Sequence, residues 1–178
     1  KNVEKSLFQL KKEGLLTPRR LAAADNDTIA SLIKSSGYYN QKVLKIKNFI
    51  AWFSTFNYSF RRLNKIDTRT LRGDLLSVKG IGPETADSIL LYALGRKIFV
   101  VDAYTKRVFT RIGIIGEDWN YDKIQQFFHE KFCGDVSLYN EYHALVVVHG
   151  KDCCKTVPDC VNCCLAQLCR NKPARPDL

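Results

Sequence analysis

Apolar residues recur at helical spacing through most of the chain. The longest such run predicts an amphipathic helix over about residues 39–56, with an apolar face formed by Val43, Ile46, Phe49, Ile50 and Phe53. Shorter helices are predicted before it, over residues 2–12, from Pro18, and through Ile33 from a cap at Asp25 or Asp27. The one strand-like run, IFVV, is too short to build a sheet. We therefore predict an all-α fold.

The second half continues as helices that glycines separate. They are predicted over about residues 67–78, from Pro83 to Gly95, from Asp102 to Gly113, and near 120–132 and 137–149. The turn Lys79-Gly80-Ile81-Gly82, which we call the hairpin turn, joins the first two of these helices. Its glycines permit positive φ angles and a close approach of the backbone to a partner.

Cysteine is concentrated near the end of the chain. Six of the seven cysteines lie in residues 153–169, CCKTVPDCVNCCLAQLC, which we call the cysteine loop. Within it Cys160, Cys163 and Cys169 follow either Cys153 or Cys154, so that four thiolates can bind one soft metal centre, an iron–sulfur cluster or structural zinc. In a chain without secretory features this clustering indicates a reducing compartment, the cytoplasm of a prokaryote or a nucleus, and argues against disulfides. We interpret the isolated Cys133 as a small buried residue.

The formal net charge is +10. Such a charge favours a polyanionic partner, nucleic acid before an anionic membrane, although it could also serve solubility alone. No apolar run is long enough to span a bilayer, so no membrane partner is expected. A helix, a glycine turn and a second helix that presents free N–H groups would suit a phosphate backbone, and Lys79 adds charge there. Glycine turns between helices are common, so the turn indicates DNA binding only in combination with the basic charge.

Three features in order resemble the endonuclease III-like superfamily of DNA glycosylases, which has a helix-hairpin-helix, a Gly/Pro-rich loop and a catalytic aspartate. They are GYYNQK at 37–42, VKGIGPETA at 78–86 with VDAYTKRV at 101–108, and HG at 149–150 before the cysteine loop. The resemblance covers nearly the whole chain. It implies a two-lobed helical fold with a C-terminal [4Fe–4S] loop, a monomer, and double-stranded damaged DNA as the partner. Helices that precede this start in the family are expected to be absent.

The resemblance implies a catalytic role for Asp102. Cleavage of a glycosidic bond builds positive charge on the sugar, which a fixed carboxylate can stabilise while it orients water. The simpler interpretation, that Asp102 only caps a helix, is compatible with this role because a cap would fix its position. The hairpin residues Lys79, Gly80, Ile81, Gly82, Glu84 and Thr85 are implied to bind the DNA backbone.

Glu84 departs from one branch of the family. Members that also cut the strand have a lysine there, whose amine forms a Schiff base that a carboxylate cannot form. We therefore expect a monofunctional base-excision-repair glycosylase that leaves an abasic site. The segment GIGPETADSILLYA is most similar to the branch acting on alkylated purines of the 3-methyladenine type. Alternatives are a glycosylase for oxidised pyrimidines or mismatched bases, with or without lyase activity, and a non-catalytic helix-hairpin-helix module.

The remaining expectations concern the base pocket, the metal ligands and the domains. By residue type the candidates for stacking on a flipped base are Tyr38, Tyr39 and Trp52, and the further candidates are Phe53 and Tyr104. The spacing in the family, x6-x2-x5, favours Cys153 as the first cluster ligand, whereas counting from His149-Gly150 favours Cys154. The predicted division is an N-terminal helix of the cluster lobe (1–20), a helical bundle (21–113) with the hairpin at 71–95, and the C-terminal helices with the cluster loop (114–178).

Overall fold

The fold is helical, as predicted. The computed structural model describes residues 2–170, and within that range there is no β-strand. Its α-helices are α1 Asn2–Lys12, α2 Pro18–Ala23, α3 Asn26–Ile33, α4 Tyr39–Ser54, α5 Phe60–Leu63, α6 Thr68–Ser77, α7 Pro83–Ser88, α8 Ala103–Ile112, α9 Tyr121–Lys131 and α10 Val136–Asp152. A 3₁₀ turn, Lys34–Ser36, follows α3, and a π-helical segment, Ile89–Ala93, continues α7. No helix in this range is long and apolar enough to cross a membrane.

The chain forms two compact units, Lys1–Gly82 and Pro83–Leu178. The boundary falls at the end of the hairpin turn. The predicted segments 1–20, 21–113 and 114–178 describe roles in binding DNA and a cluster, and that division stays a prediction.

The first unit packs α1, α3 and α4 around a small apolar core. Its buried residues are Leu10, Ile29, Ile33 and Val43. Asp25 is confirmed as the cap of α3, because its Oδ1 accepts the backbone N–H of Thr28 at 2.7 Å. The later half of α4 bears an aromatic cluster formed by Phe49, Trp52, Phe53 and Phe56. The helix ends at Ser54, two residues before the predicted end.

The hairpin turn is supported by α4. The amide of Asn48 donates a hydrogen bond to the carbonyl of Lys79 at 2.9 Å. Gly80 has a φ of 96°, and a Cβ there would lie 2.7 Å from Cγ of Lys45. A side chain at this position would be strained and would also displace the lysine, so the turn requires glycine at position 80.

In the second unit the apolar link Ile98–Val101 is buried and leads into α8. Phe99 stacks on Phe128 of α9 with ring centroids 4.1 Å apart and meets Tyr139 of α10 edge-on. Gly150 lets α10 approach α8 closely, because a Cβ there would lie 2.8 Å from Cβ of Tyr104. These contacts place the start of α8 against α10.

Two details differ from the sequence-based expectations. The helix from Pro83 does not stay α-helical to Gly95 but widens at Ile89, where the N–H of Leu94 bonds to the carbonyl of Ile89, five residues earlier. The prediction that Cys133 is buried is wrong, because Cys133 is exposed in the link between α9 and α10. Free cysteine is often buried, but this four-residue connection leaves its thiol at the surface.

Candidate active site and cysteine loop

Asp102 caps α8, as the sequence predicted. Its Oδ1 accepts the backbone N–H of Thr105 at 2.7 Å, so the carboxylate satisfies one of the free donors at the start of the helix. Its side chain is 11% exposed. The cap therefore fixes one oxygen, while Oδ2 points elsewhere and has a different partner.

That partner is His143 of α10, which sequence reasoning did not single out. Its Nε2 lies 3.5 Å from Oδ2 of Asp102, and its side chain is 10% exposed. Its other ring nitrogen, Nδ1, contacts the hydroxyl of Tyr92, which lies in the π-helical segment. A tyrosine, a histidine and an aspartate thus form a continuous polar series that runs from the half-exposed Tyr92 to the start of α8.

The surroundings of Asp102 hold it in the charged form. Burial opposes ionisation, but hydrogen bonding from His143 and from Thr105 outweighs it and lowers the pKa of Asp102. The contact from the Thr105 N–H is the tight one, since 3.5 Å from Nε2 is at the outer limit for a hydrogen bond. Asp102 is therefore an oriented carboxylate that is ionised at neutral pH.

A second carboxyl group, Glu84, stands near the start of α7. Glu84 is exposed, but partial desolvation of its carboxyl group and the charge of Asp102 raise its pKa, while His143 acts in the opposite direction. The two acids thus have pKa values shifted apart, which is the pattern of carboxyl groups with different tasks. Thr85 beside Glu84 is exposed in the same unit.

The other predicted DNA-binding residues belong to the first unit. Lys79, Gly80 and Gly82 are exposed and Ile81 is half-buried. The structure confirms the turn itself and leaves the role of these residues as a prediction.

The predicted base-pocket aromatics differ widely in exposure. Tyr38 is 86% exposed and has a left-handed backbone, with φ of 46°, directly before α4. Tyr39 packs against the first core, and Trp52 packs within the aromatic cluster of α4. Phe53 is 2% exposed, so it is a core residue and cannot stack on a base. Of these residues Tyr38 alone presents a largely exposed ring.

The cysteine loop encloses a cavity of about 220 Å³ in the second unit. Five of its six cysteines line this cavity, namely Cys153, Cys154, Cys160, Cys163 and Cys169, and the sixth, Cys164, is exposed. The volume is several times the roughly 30 Å³ of one water molecule. Thiols therefore converge on a space large enough for a centre of more than one atom.

Two arginines of α8 hold the cysteine loop in place. Arg107 donates to the carbonyls of Gly150 at 2.6 Å and Cys154 at 2.8 Å. Arg111 donates to the carbonyls of Lys155 and Thr156, at 2.5 and 2.9 Å, and its Nη1 lies 3.4 Å from Sγ of Cys154. The charge of Arg111 is thus placed against a thiol that faces the cavity.

The two candidates for the first ligand have different partners. Sγ of Cys153 contacts the carbonyl of Asp159 at 3.1 Å, and burial together with Cys163 raises its pKa to about 11. Sγ of Cys153, Sγ of Cys163 and Nε2 of His149 lie within 4.8 Å of one another, which is an arrangement that could hold a single metal ion. Cys154 is instead the thiol beside Arg111.

Comparison with known proteins agrees with this geometry. The sequence profile of HhH-GPD superfamily base excision DNA repair proteins matches residues 1–133. The chain belongs to the HhH-GPD superfamily. This confirms the family, the helical fold and the placement among DNA repair proteins that the sequence predicted.

Individual HhH-GPD proteins show how far the likeness extends. A protein of Methanocaldococcus jannaschii that is named, provisionally, a DNA repair glycosylase is 44% identical over 97% of this chain and 79% of its own length. Endonuclease III of Sulfolobus acidocaldarius is 32% identical over 88% of this chain and 68% of its own length. The crystal structure of the H. pylori 3-methyladenine DNA glycosylase bound to 1,N6-ethenoadenine superimposes with a TM-score of 0.73 and 28% identity, covering 84% of this chain and 77% of that one.

Sequence reasoning missed the partners of Asp102 in this HhH-GPD chain. A signal for His143 was present. Tyr139, His143, Val146 and Gly150 share one buried face of α10 at spacings of four, three and four residues, and a histidine in such a face needs a polar partner. Tyr92 gave no comparable signal, because its position depends on the widening of the helix at Ile89.

Proposed function

We propose that this chain is a monofunctional DNA N-glycosylase that removes alkylated purines of the 3-methyladenine type from double-stranded DNA and leaves an abasic site. Asp102 is the observation on which this rests. It is an ionised, largely covered carboxylate whose orientation is set by the start of a helix and a histidine. A group of this kind stabilises positive charge that develops on a sugar when the glycosidic bond breaks.

Glu84 supports the absence of lyase chemistry. A Schiff base needs an amine at the sugar carbon, and the residue in this place is a carboxyl group near Asp102. Methylation of a purine ring nitrogen makes the base cationic and weakens its glycosidic bond, so that little protonation of the leaving group is needed. One ionised aspartate can then suffice.

The substrate would be held by the hairpin turn and by an exposed aromatic ring. Lys79, Gly80 and Gly82 are exposed for contact with phosphates. Tyr38 has the most exposed ring of the predicted aromatics and is therefore free to stack on an unpaired base, and its left-handed backbone suits a functional position because such strain is retained only where something requires it.

We also propose that the cysteine loop binds a [4Fe–4S] cluster through Cys154, Cys160, Cys163 and Cys169. These residues line one cavity, and Cys163, Cys169 and Cys154 all act electrostatically on Cys160. The N–H of Arg111 beside Cys154 would offset the negative charge of a thiolate-bound cluster. When bound, the cluster would order the loop and take no part in breaking the bond. Zinc on Cys153, Cys163 and His149 is the competing arrangement.

A lesion panel tests the proposed reaction. The purified chain is incubated with duplexes containing alkylated purines, oxidised pyrimidines or mismatched bases, and the products are analysed with and without alkali. Release of free 3-methyladenine, with strand breaks that appear only after alkali, is expected. Excision of another base in its place would favour the alternative of a glycosylase for oxidised pyrimidines or mismatched bases.

A borohydride trap tests the absence of lyase activity. An amine that attacks the sugar would be captured as a covalent adduct of protein and DNA, whereas a carboxyl group at position 84 gives none. An adduct would contradict the role given to Glu84 and would point to a lysine such as Lys79. Binding without excision of any base in the panel would favour a non-catalytic DNA-binding module.

A further inference from the structure

His143 is the buried titratable group that the proposed reaction does not yet use. It is 8% exposed and lies on the face of α10 that meets the start of α8. Its two ring nitrogens face two polar groups, Tyr92 on one side and Asp102 on the other. Glu84 acts on the same site electrostatically.

An ordinary core histidine would have both nitrogens in short hydrogen bonds. Here the hydrogen-bonding partner of Nε2 is Oδ2 of Asp102, at a distance of 3.5 Å. The buried hydroxyl of Thr105, on the first turn of α8, also lacks a well-formed partner within residues 2–170. Leaving such groups incompletely bonded costs free energy. Two loosely bonded polar groups beside one carboxylate are typical of a site that completes its hydrogen bonds when a ligand is present.

We propose that His143 is a positioning residue for Asp102. Tyr92 fixes the orientation of the His143 ring, so that Nε2 faces Oδ2 of Asp102. The inference rests on the proposed role of Asp102 in excision.

The direction of the hydrogen bonds follows from the chemistry of the three groups. An ionised carboxylate only accepts, so Nε2 of His143 must hold a proton where it faces Oδ2. With a single proton on the ring, Nδ1 then accepts from the hydroxyl of Tyr92. This tautomer keeps the Nε2–H directed at Oδ2 of Asp102. Tyr92 is half exposed, so it also connects the buried ring to solvent.

Two variants separate the role of Nε2 from that of bulk. In His143→Gln the amide N–H can take the place of Nε2–H, whereas in His143→Asn the shorter side chain can replace only Nδ1. Single-turnover base release from a 3-methyladenine duplex should fall by about 10- to 100-fold in His143→Asn, because the carboxylate is no longer held in line. His143→Gln should recover roughly tenfold of that loss, and Tyr92→Phe should lie between His143→Gln and the unchanged protein.

The pH profile provides a measure that a merely structural role would not move. His143 contributes to the lowered pKa of Asp102, so removing it raises that pKa. The acid limb of the rate should therefore appear at higher pH in His143→Asn than in the unchanged protein. The other titratable groups facing His143 are Glu84 and Tyr92. The pH profile of Glu84→Gln is therefore measured as well, to show whether the acid limb comes from Asp102 or from Glu84. DNA affinity, measured by fluorescence anisotropy at fixed salt, should not change.

A spectroscopic measurement tests the geometry independently of activity. The chain has three histidines, so the ¹⁵N signals of the His143 ring can be assigned by substitution. Nε2 should carry a proton where it faces Asp102, and Asp102→Asn or Tyr92→Phe should shift those signals. Rates for His143→Asn equal to those of the unchanged protein at every pH, or a proton on Nδ1 that neither variant disturbs, would overturn the inference. Absence of base release by the unchanged protein would instead refute the proposed function.

Discussion

The residues at the two ends of α8 are held in place by different kinds of contact. At its start, Asp102 is held by the backbone of its own helix and by the buried ring of His143. At its end, the cysteine loop is held by guanidinium groups that reach exposed carbonyls, and its own residues are half-buried at most. The start of the helix is ordered by contacts within the polypeptide alone. The cysteine loop has no apolar core of its own, and thiols line the space at its centre.

This difference teaches which parts of the molecule depend on a bound centre. A loop of 17 residues with no buried apolar side chain cannot recover its conformational entropy by packing. Ligand bonds to a metal centre would supply that stabilisation, as in other small metal-bound segments. The site at Asp102 needs no such help.

The largest effect should come from the carboxylate. Asp102→Asn keeps the cap of α8, because asparagine also caps helices well, but removes the negative charge. Base release should fall by roughly 10²–10⁴-fold while DNA affinity stays the same. Rates from single turnovers and affinities from anisotropy measure the two effects separately. A variant that excises at an unchanged rate would show that Asp102 is only a cap.

The cysteine loop should respond to loss of a ligand and leave Asp102 undisturbed. Cys154→Ser should lower the iron content and the visible absorption of the purified protein and expose the loop to protease. Cys153→Ser is the matched control, and it should retain the iron. The opposite outcome would make Cys153 the ligand, and one zinc per chain with no iron would refute the cluster. Circular dichroism should show that the helices of both variants remain.

Close packing between α8 and α10 gives a smaller effect on stability. Gly150→Ala would place a Cβ 2.8 Å from Tyr104, so its free energy of unfolding should fall by about 1–3 kcal/mol. Gly73→Ala, at an exposed position of α6, meets nothing within 4 Å and should raise it by about 0.5–1 kcal/mol. Urea titration measures both. Equal effects would mean that α10 can move away from α8 at no cost.

The smallest effect concerns acid. Asp102 has a folded-state pKa below its ordinary value, so its ionised form stabilises the fold above the unfolded pKa and this contribution is lost as pH falls through the folded pKa. The difference in unfolding free energy between the unchanged protein and Asp102→Asn should be on the order of 1 kcal/mol at neutral pH and shrink below about pH 4. Asp25→Asn is the comparison, because Thr28 lowers the pKa of Asp25 without a histidine partner, so it shows the pH dependence of a cap alone. A difference that does not vary with pH would contradict the lowered pKa.

Local rules predicted most helices because their signals are local. Asp25, Asp67 and Asp102 each cap the helix that the sequence placed after them, and Gly113 ends α8 with φ of 87°. Helix ends moved by one to three residues. The widening at Ile89 has no such signal, since it depends on how α7 packs.

The site was predictable only in its sequence-local part. Asp102 could be found from its position before a helix and from a family resemblance. His143 lies 41 residues later and Tyr92 ten residues earlier, and they meet Asp102 only through tertiary packing. The choice between Cys153 and Cys154 could not be made from spacing either, because both lie at the end of α10 and only the position of Arg111 distinguishes them.

The arginines of α8 also fix the phase of that helix. Arg107 and Arg111 lie four residues apart on one face, and both reach the cysteine loop. One inserted residue between Asp102 and Arg107 would rotate everything after it by about 100° around the axis and turn both guanidinium groups away. The ten residues of α8 therefore act as a spacer of fixed length and rotation, about 15 Å long, that tolerates substitution on its outer face but no insertion or deletion.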